Sequence, residues 1–258
     1  MKPIILFGDS ISRGWALGTF DPLPSNPLYS FRAAWTIINL LLADAGLTER
    51  AYYGGSCTTQ ADVDSIVDRL ARGVIPAGST LICEDAGAHS QNPDAYEAWW
   101  LTLRAAVMAF DVRLVLPSMY EYAPAPLNSR YDTVFGTRTM NQATQAAATA
   151  LISGEVGKTS FLDMNAIMDA ELVIPAPYRP GQYGVPWFHA DGIHPNVWGN
   201  MLLAGEYLKA AGLRPSVWAC GQVRKLASDN YSTLAYGSQS LTGSIADAWA
   251  AYCCIRPL

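Results

Sequence analysis

Two polar sites far apart in this sequence could together carry out nucleophilic chemistry. A short apolar run at residues 4–7 ends in a polar loop that contains Ser10, and Asp191 and His194 lie three positions apart much later in the chain. A serine hydroxyl is a weak nucleophile unless a base removes its proton, and a histidine base works best when a carboxylate fixes its tautomer. These residue types predict acyl transfer by Ser10, with His194 as the base and Asp191 as the group that orients it.

The segments around these residues indicate how they are positioned. The apolar run before Ser10 predicts a buried strand, and ligands of open α/β sheets bind at the carboxyl ends of strands. Pro195 is typical of a first helical residue and favours an extended conformation for His194, which places the histidine at the mouth of a helix. The residues alone leave another interpretation open, in which Asp9 or Ser10 only caps the helix that follows.

Gly8-Asp9-Ser10-Ile11, followed far downstream by Asp191-Gly192-Ile193-His194-Pro195, resembles the SGNH, or GDSL-type, hydrolase family. Four signature blocks, around a serine, a glycine, an asparagine and a histidine, define that family of esterases and acyl hydrolases. Corresponding segments occur here in the same order over approximately residues 3–212. The resemblance implies a serine esterase that uses Ser10, His194 and Asp191 and needs neither a metal nor an organic cofactor.

The second block corresponds to residues 51–59, which contain Gly54 and Gly55. The resemblance implies that a backbone N–H here points at the oxyanion of the reaction, and the alignment favours Gly55, with Gly54 second. Glycine suits this role because it lets the main chain approach a ligand closely and adopt a positive φ. On the residues alone, the pair equally fits an ordinary turn between a strand and a helix.

The third block departs from the family pattern. The family has Gly-x-Asn-Asp, whereas this chain has Gly87-Ala88-His89-Ser90. A histidine ring N–H can replace the asparagine amide as a donor to the oxyanion, so the resemblance implies this role for His89. The alternative is that His89 is a surface or structural residue and a neighbour such as Asn92 supplies the donor.

Length and periodicity predict the fold. The 258 residues suffice for one α/β domain, taken as residues 1–214, and a C-terminal appendage, residues 215–258, that lies outside the resemblance. Strands that alternate with helices predict right-handed crossovers and a parallel sheet covered on both faces, a three-layer α/β/α sandwich. The resemblance implies a flavodoxin-like strand order. Beyond the first strand and a second one ending near Gly55, strands are predicted at 79–84, 112–117 and 160–164, and helices at 31–45, 60–72, 94–110, 137–153 and 196–211.

Composition excludes several classes of function. A net charge of −5 and a pI near 5.1 argue against nucleic acid as a partner, because phosphate binding needs clustered cations. We expect no membrane span, since no apolar stretch of about 18 residues is present. The N-terminus runs into the first strand without a signal segment, which predicts a cytoplasmic protein; the family also occurs in bacteriophage tails, so association with a phage particle is the alternative.

The five cysteines are odd in number and irregularly spaced, which favours reduced thiols. Cys57 follows the glycine pair and is a conceivable second nucleophile, although no suitable base accompanies it. Cys220 could pair with Cys253 or Cys254 in an oxidising environment. All three belong to the C-terminal appendage, which we interpret as packed on the main domain or as an oligomer contact.

Two predicted loops, residues 119–138 and 175–186, are rich in proline and tyrosine. Aromatic walls suit the C–H faces of sugar rings, and they suit acyl chains as well. The family resemblance allows such substrates, and together with the aromatic loops it favours a small ester or, most specifically, an O-acetyl group on a carbohydrate. A lipolytic esterase or thioesterase with the same catalytic residues is the first alternative, and a non-catalytic carbohydrate-binding or structural protein is the second.

Overall fold

The computed structural model contains ten helices and strands among the residues that it describes. The helices are α1 (Gln60–Ala71), α2 (Pro93–Ala109) and α3 (Val197–Ala210). The strands are β1 (Ile4–Phe7), β2 (Ala51–Gly55), β3 (Thr80–Cys83), β4 (Arg113–Pro117), β5 (Val134–Phe135), β6 (Arg138–Thr139) and β7 (Thr159–Leu162). The described residues are 2–8, 12, 34–35, 38–39, 42, 48, 50–84, 92–118, 134–135, 137–139, 142–143, 146–147, 149, 159–164 and 197–213.

Five parallel strands form the central sheet in the order β2-β1-β3-β4-β7. Counted along the chain within this sheet, the order is 2-1-3-4-5, so the predicted parallel sheet and its flavodoxin-like order are confirmed. The direction of travel reverses at β1, because the chain moves to β2 on one side and then returns past β1 to β3. The crevice between the ends of β1 and β3 is the switch point at which such sheets bind ligands.

Helices cover both faces of this sheet. Right-handed crossovers place the connection from β1 to β2 on the opposite face from the connection between β2 and β3, because the two run in opposite directions across the sheet. The first connection includes Ala34, Ile38 and Leu42, which are helical and buried. The second is α1, which packs against α2. The predicted three-layer α/β/α sandwich is confirmed.

The sheet is the centre of the core. All four residues of β1 are at most 1% exposed, and every residue of β3 is buried as well. Strands covered on both faces carry nearly continuous apolar runs, and this explains why these segments are recognisable in the sequence. β1 pairs with β3 residue for residue, from Ile4 with Thr80 to Phe7 with Cys83.

Capping residues fix where α1 and α2 begin. Thr59 caps α1 in a capping box with Asp62, in which each side chain accepts a hydrogen bond from the other residue's backbone N–H. Asn92 caps α2 by accepting from the N–H groups of Asp94 and Ala95, and Pro93 occupies the first turn. Both helices agree with the predicted boundaries to within one residue.

The helix predicted at 137–153 begins too early. Arg138–Thr139 is the strand β6, which pairs antiparallel with β5. The two strands are separated by Gly136-Thr137, and a glycine in a two-residue connection favours a tight hairpin over the first turn of a helix. The helical residues that the structure describes in this region begin at Gln142.

Several predictions from the sequence fall outside the described residues. The C-terminal appendage, residues 215–258, is among them, as are most of the proline- and tyrosine-rich loops. Across the part of the chain that is described, no helix is both long enough and apolar enough to cross a membrane.

Candidate active site

The predicted site residues divide into one that the structure describes and four that it does not. Gly55 is the last residue of β2. Ser10, His89, Asp191 and His194 lie outside the described residues, so their arrangement stays a prediction. The residues that flank them are described, and these flanks show where each predicted loop leaves the sheet or enters a helix.

Three of the predicted signature segments start from neighbouring strand ends. The N–H of Gly8, after β1, donates to the carbonyl of Gly55 at 3.1 Å. The N–H of Glu84, after β3, donates to the carbonyl of Phe7 at 2.7 Å. The segments that continue to Ser10 and His89 therefore leave the sheet side by side, at the switch point, with the end of β2 at Gly54 and Gly55 beside them.

A buried carboxylate, which sequence reasoning missed, lies at this edge of the sheet. Glu84 is only 3% exposed, and its two carboxylate oxygens accept hydrogen bonds from the hydroxyls of Ser12 and Tyr207. Its backbone carbonyl accepts a hydrogen bond from the Cys57 thiol at 3.1 Å. A carboxylate removed from water requires such partners, because burial without them is costly.

Glu84 thereby joins residues that lie within or beside the segments of all four predicted signature blocks. Ser12 follows the first block, and Cys57 belongs to the second. Glu84 itself precedes the third, and Tyr207 lies on α3, which begins three residues after His194. The signal in the sequence was an ionisable residue directly after the apolar run 80–83, at the carboxyl end of a strand, where open α/β sheets bind their ligands.

Gly8, two residues before the predicted nucleophile, is required by the contact between Ser12 and Glu84. A Cβ built on Gly8 would overlap the Ser12 hydroxyl and would lie 3.1 Å from the Cβ of Glu84. The Ser12 side chain therefore reaches Glu84 across the space that a side chain at position 8 would fill. Gly8 allows the Ser12–Glu84 hydrogen bond to form.

Gly54 and Gly55 are glycines for different physical reasons. A Cβ on Gly54 would lie 2.6 Å from Cγ2 of Ile5 and 2.7 Å from Cε1 of Phe7, both buried side chains of β1. Gly55 has a φ of +137°, a conformation that residues with side chains rarely adopt, and a Cβ there would meet no described atom within 4 Å. Packing requires the first glycine, and backbone conformation requires the second.

The ladder between β1 and β2 contains a β-bulge at the first of these glycines. Leu6 pairs with Tyr53 and Phe7 pairs with Gly55, so Gly54 is the extra residue of β2. Its carbonyl accepts a hydrogen bond from Nη1 of Arg69, on α1, at 2.8 Å. The same guanidinium lies over the ring of Phe7, 5.2 Å from the ring centroid. Bulges often occur beside active sites because they redirect the backbone locally.

The segment after Gly55 is fixed by the carboxylate of Asp62. The Ser56 hydroxyl and the backbone N–H of Thr59 both donate to Oδ2 of Asp62, at 2.9 and 3.0 Å. Burial raises the pKa of Asp62, but the hydrogen bonds from Thr59 and Ser56 and from nearby backbone N–H groups outweigh it and lower the pKa below its usual value. Asp62 therefore stabilises this segment in its ionised form.

The surroundings of Cys57 are those of a structural thiol. Its side chain is completely buried, at 0% exposed, and donates to the Glu84 carbonyl. Reactive cysteines are partly exposed and lie close to positive charge, whereas buried ones are inert. Among the described residues, no cluster of three or more histidine, cysteine or acidic side chains could hold a metal ion.

Comparison with solved structures identifies the fold. A protein from Parabacteroides merdae that is described as a GDSL-like lipase matches with a TM-score of 0.51 at 18% identity. The match covers 83% of this chain and 96% of that protein. The chain has the fold of the SGNH hydrolases. A catalytic mutant of an acetylxylan esterase from Geobacillus stearothermophilus shares the SGNH fold at a TM-score of 0.51 and 17% identity, over 83% of this chain and 95% of its own.

A carbohydrate acetylesterase from Sinorhizobium meliloti also shares the SGNH fold, with a TM-score of 0.51 at 15% identity, over 82% of this chain and 99% of its own. No protein-family model and no curated protein matches the sequence. At these identities the likeness establishes the SGNH fold predicted from the signature blocks, and the activity has to be argued from the residues.

Proposed function

We propose that this protein is a serine esterase that hydrolyses carboxylic esters through an acyl-enzyme. The observation that carries the proposal is the buried carboxylate of Glu84, which binds both Ser12 and Tyr207. Ser12 lies two residues after Ser10, and Tyr207 lies on the helix that follows His194. This contact supports an arrangement in which the predicted nucleophile and the predicted base meet at one edge of the sheet.

The reaction proceeds in two steps. Ser10 Oγ bonds to the ester carbonyl carbon as His194 takes the hydroxyl proton, and the proton passes to the leaving alcohol when its C–O bond breaks. Water then attacks the acyl-enzyme, with His194 again as the base, and releases the carboxylic acid and the free serine. Asp191 orients His194 and stabilises the imidazolium form in both steps.

The negative charge that forms on the carbonyl oxygen is bound by three donors in this proposal. They are the backbone N–H groups of Ser10 and Gly55 and the side chain of His89. The positive φ of Gly55 and the hydrogen bond from Gly8 to its carbonyl support the choice of Gly55, because they hold this residue beside the segment that carries Ser10. One such donor contributes about 10²–10³ to kcat.

Short acyl groups on a carbohydrate are the proposed substrate. The structural neighbours include an acetylxylan esterase and a carbohydrate acetylesterase, and the aromatic loops predicted from the sequence suit sugar rings. A lipolytic esterase is the second candidate, favoured by the match to a GDSL-like lipase over a similar part of the chain. A purely binding or structural role is disfavoured, because the chain retains Ser10, Asp191 and His194 together.

Hydrolysis of p-nitrophenyl acetate, butyrate and octanoate, together with acetate release from acetylated xylooligosaccharides, tests the proposal. Turnover that requires Ser10 and falls steeply from acetate to octanoate supports the acetylesterase. Turnover that rises towards octanoate, with no acetate released from the glycan, supports the lipolytic enzyme. Equal rates for the wild type and Ser10→Ala on every substrate contradict the esterase proposal as a whole.

A further inference from the structure

The peptide bond between Gly54 and Gly55 is held from the side of helix α1. Arg69, in the last turn of α1, donates from Nη1 to the carbonyl of Gly54 at 2.8 Å. Its guanidinium is fixed in turn by the ring of Phe7, 5.2 Å away. Because the bulge leaves Gly54 as the extra residue of β2, the ladder to β1 continues with the carbonyl of Gly55, which accepts from Gly8.

The position of this carbonyl determines the direction of the next N–H group. A trans peptide is planar, so the C=O of Gly54 and the N–H of Gly55 belong to one rigid unit and point in opposite directions. A peptide between two glycines can rotate more readily than any other, because neither neighbour has a Cβ to restrict it. The hydrogen bond from Arg69 removes this freedom on the carbonyl side.

We propose that Arg69 is a positioning residue for the oxyanion hole, which orients and polarises the Gly54–Gly55 peptide so that the N–H of Gly55 can bind the oxyanion. The inference rests on the proposed esterase function. A charged donor on a carbonyl oxygen draws electron density towards that oxygen, and hydrogen-bonded chains strengthen one another in this way. The N–H at the other end of the peptide becomes a stronger donor as a result.

This role predicts a defect in the chemical step. Arg69 acts on the Gly54–Gly55 peptide through the Gly54 carbonyl, so its loss weakens an interaction that matters once charge develops on the carbonyl oxygen. Such a loss lowers kcat and leaves KM unchanged. A purely structural role, in which Arg69 only packs on Phe7, predicts lower thermal stability with an unaltered kcat for the folded enzyme.

Arg72, the residue directly after α1, provides a matched control. It forms an ion pair with Asp68 at 2.8 Å, and both side chains are mostly exposed, at 63% and 58%. Exposed pairs of this kind contribute little to stability. Arg72→Met therefore removes the same kind of side chain from the same end of α1 without removing a contact to Gly54 or Gly55.

The experiment measures kcat, KM and melting temperature for the wild type, Arg69→Met, Arg69→Lys and Arg72→Met, with p-nitrophenyl acetate as the substrate and Ser10→Ala as the blank. We expect Arg69→Met to lower kcat about tenfold to a hundredfold, in line with partial loss of one oxyanion donor. Arg69→Lys should recover part of the loss, because an ammonium group can donate to the same carbonyl but lacks the planar fork of arginine. Arg72→Met should match the wild type.

Each outcome distinguishes the inference from the function on which it rests. If the wild type needs Ser10 for turnover and folded Arg69→Met keeps the wild-type kcat, or changes only KM, the inference is wrong and the esterase stands. If the wild type shows no turnover that needs Ser10, both are wrong. If Arg69→Met does not fold, Arg69→Lys decides, since a lower kcat at wild-type KM and melting temperature supports the inference and a wild-type kcat overturns it.

Discussion

The hydroxyl of Ser12 donates a hydrogen bond to the buried carboxylate of Glu84, and the two residues are 72 positions apart in the sequence. This contact joins the segment after β1, which carries Ser10, to the end of β3, from which the segment with His89 continues. Tyr207 binds the other carboxylate oxygen from α3. The segment after β1, the end of β3 and helix α3 are thus connected through one buried side chain.

Glu84→Gln should lower both stability and activity. The amide of glutamine offers one acceptor oxygen where Glu84 offers two, so it cannot accept from Ser12 and Tyr207 in the same way. We expect a decrease of about 1–3 kcal/mol in the free energy of unfolding, measured by urea denaturation. Asp68→Asn, at an exposed carboxylate of α1, is the control, and a loss for Glu84→Gln no larger than for this control would contradict the role of Glu84.

Gly8→Ala should be destabilising because of Ser12. The added Cβ would overlap the Ser12 hydroxyl, so we expect a loss of about 1–3 kcal/mol, as for other overpacked positions. The loss should shrink in a Ser12→Gly background, which removes the overlapping atoms, and a double-mutant cycle measures this coupling. Additive effects of the two changes would show that the clash is not the cause.

Gly205→Ala serves as the control for Gly8→Ala. Gly205 lies inside α3, and a Cβ there would meet no described atom within 4 Å. Alanine is the better helix former by about 0.5–1 kcal/mol, so this change should stabilise the protein. Opposite signs for the two glycine substitutions would separate the local clash from a general effect of added methyl groups.

The two glycines of the second block should respond differently to alanine. Gly54→Ala forces a Cβ against Ile5 and Phe7, so its main effect should be a lower melting temperature. Gly55→Ala has space for the methyl group but strains a backbone at φ +137°, and it should shift the N–H that we assign to the oxyanion hole. We expect kcat to fall more for Gly55→Ala, and a larger loss of kcat for folded Gly54→Ala would contradict the assignment.

The stabilisation by Asp62 should depend on pH in a defined direction. Because the pKa of Asp62 is lower in the folded protein, its contribution is fully present above the pKa of an unfolded aspartate, about 3.9, and is lost as the pH falls through the folded value. The difference in stability between the wild type and Asp62→Asn should therefore be constant near neutral pH and shrink in acid. Asp64→Asn, on the exposed side of α1, is the control, and a difference that grows in acid would contradict this sign.

Local patterns explain what could be predicted from the sequence. β1 and β3 are recognisable as short apolar runs because they are buried on both faces, and α1 begins at a capping box whose two residues are only three positions apart. The glycine pair was predicted as the end of a strand beside the site. In each case the signal lies within a few residues of the element it predicts.

The remaining features depend on contacts between distant segments. The Ser12–Glu84 hydrogen bond and the Arg69–Gly54 hydrogen bond form only when strands and helices pack, so neither is visible as a motif. The helix predicted from residue 137 failed at its start because the hairpin of β5 and β6 takes those residues. Helical periodicity alone does not distinguish the first turn of a helix from a hairpin strand at residues 138–139.

The most direct test of the central claim is to locate the acyl group. The wild type, quenched in acid during turnover of p-nitrophenyl acetate, is digested and its peptides are mapped by mass spectrometry, with Ser10→Ala and Ser12→Ala treated in the same way. We predict an acetyl ester on Ser10 in the wild type and, at a lower rate of formation, in Ser12→Ala, and neither adduct nor turnover in Ser10→Ala. An acetyl group on Ser12 or Cys57 instead, or wild-type turnover by Ser10→Ala, would contradict the account.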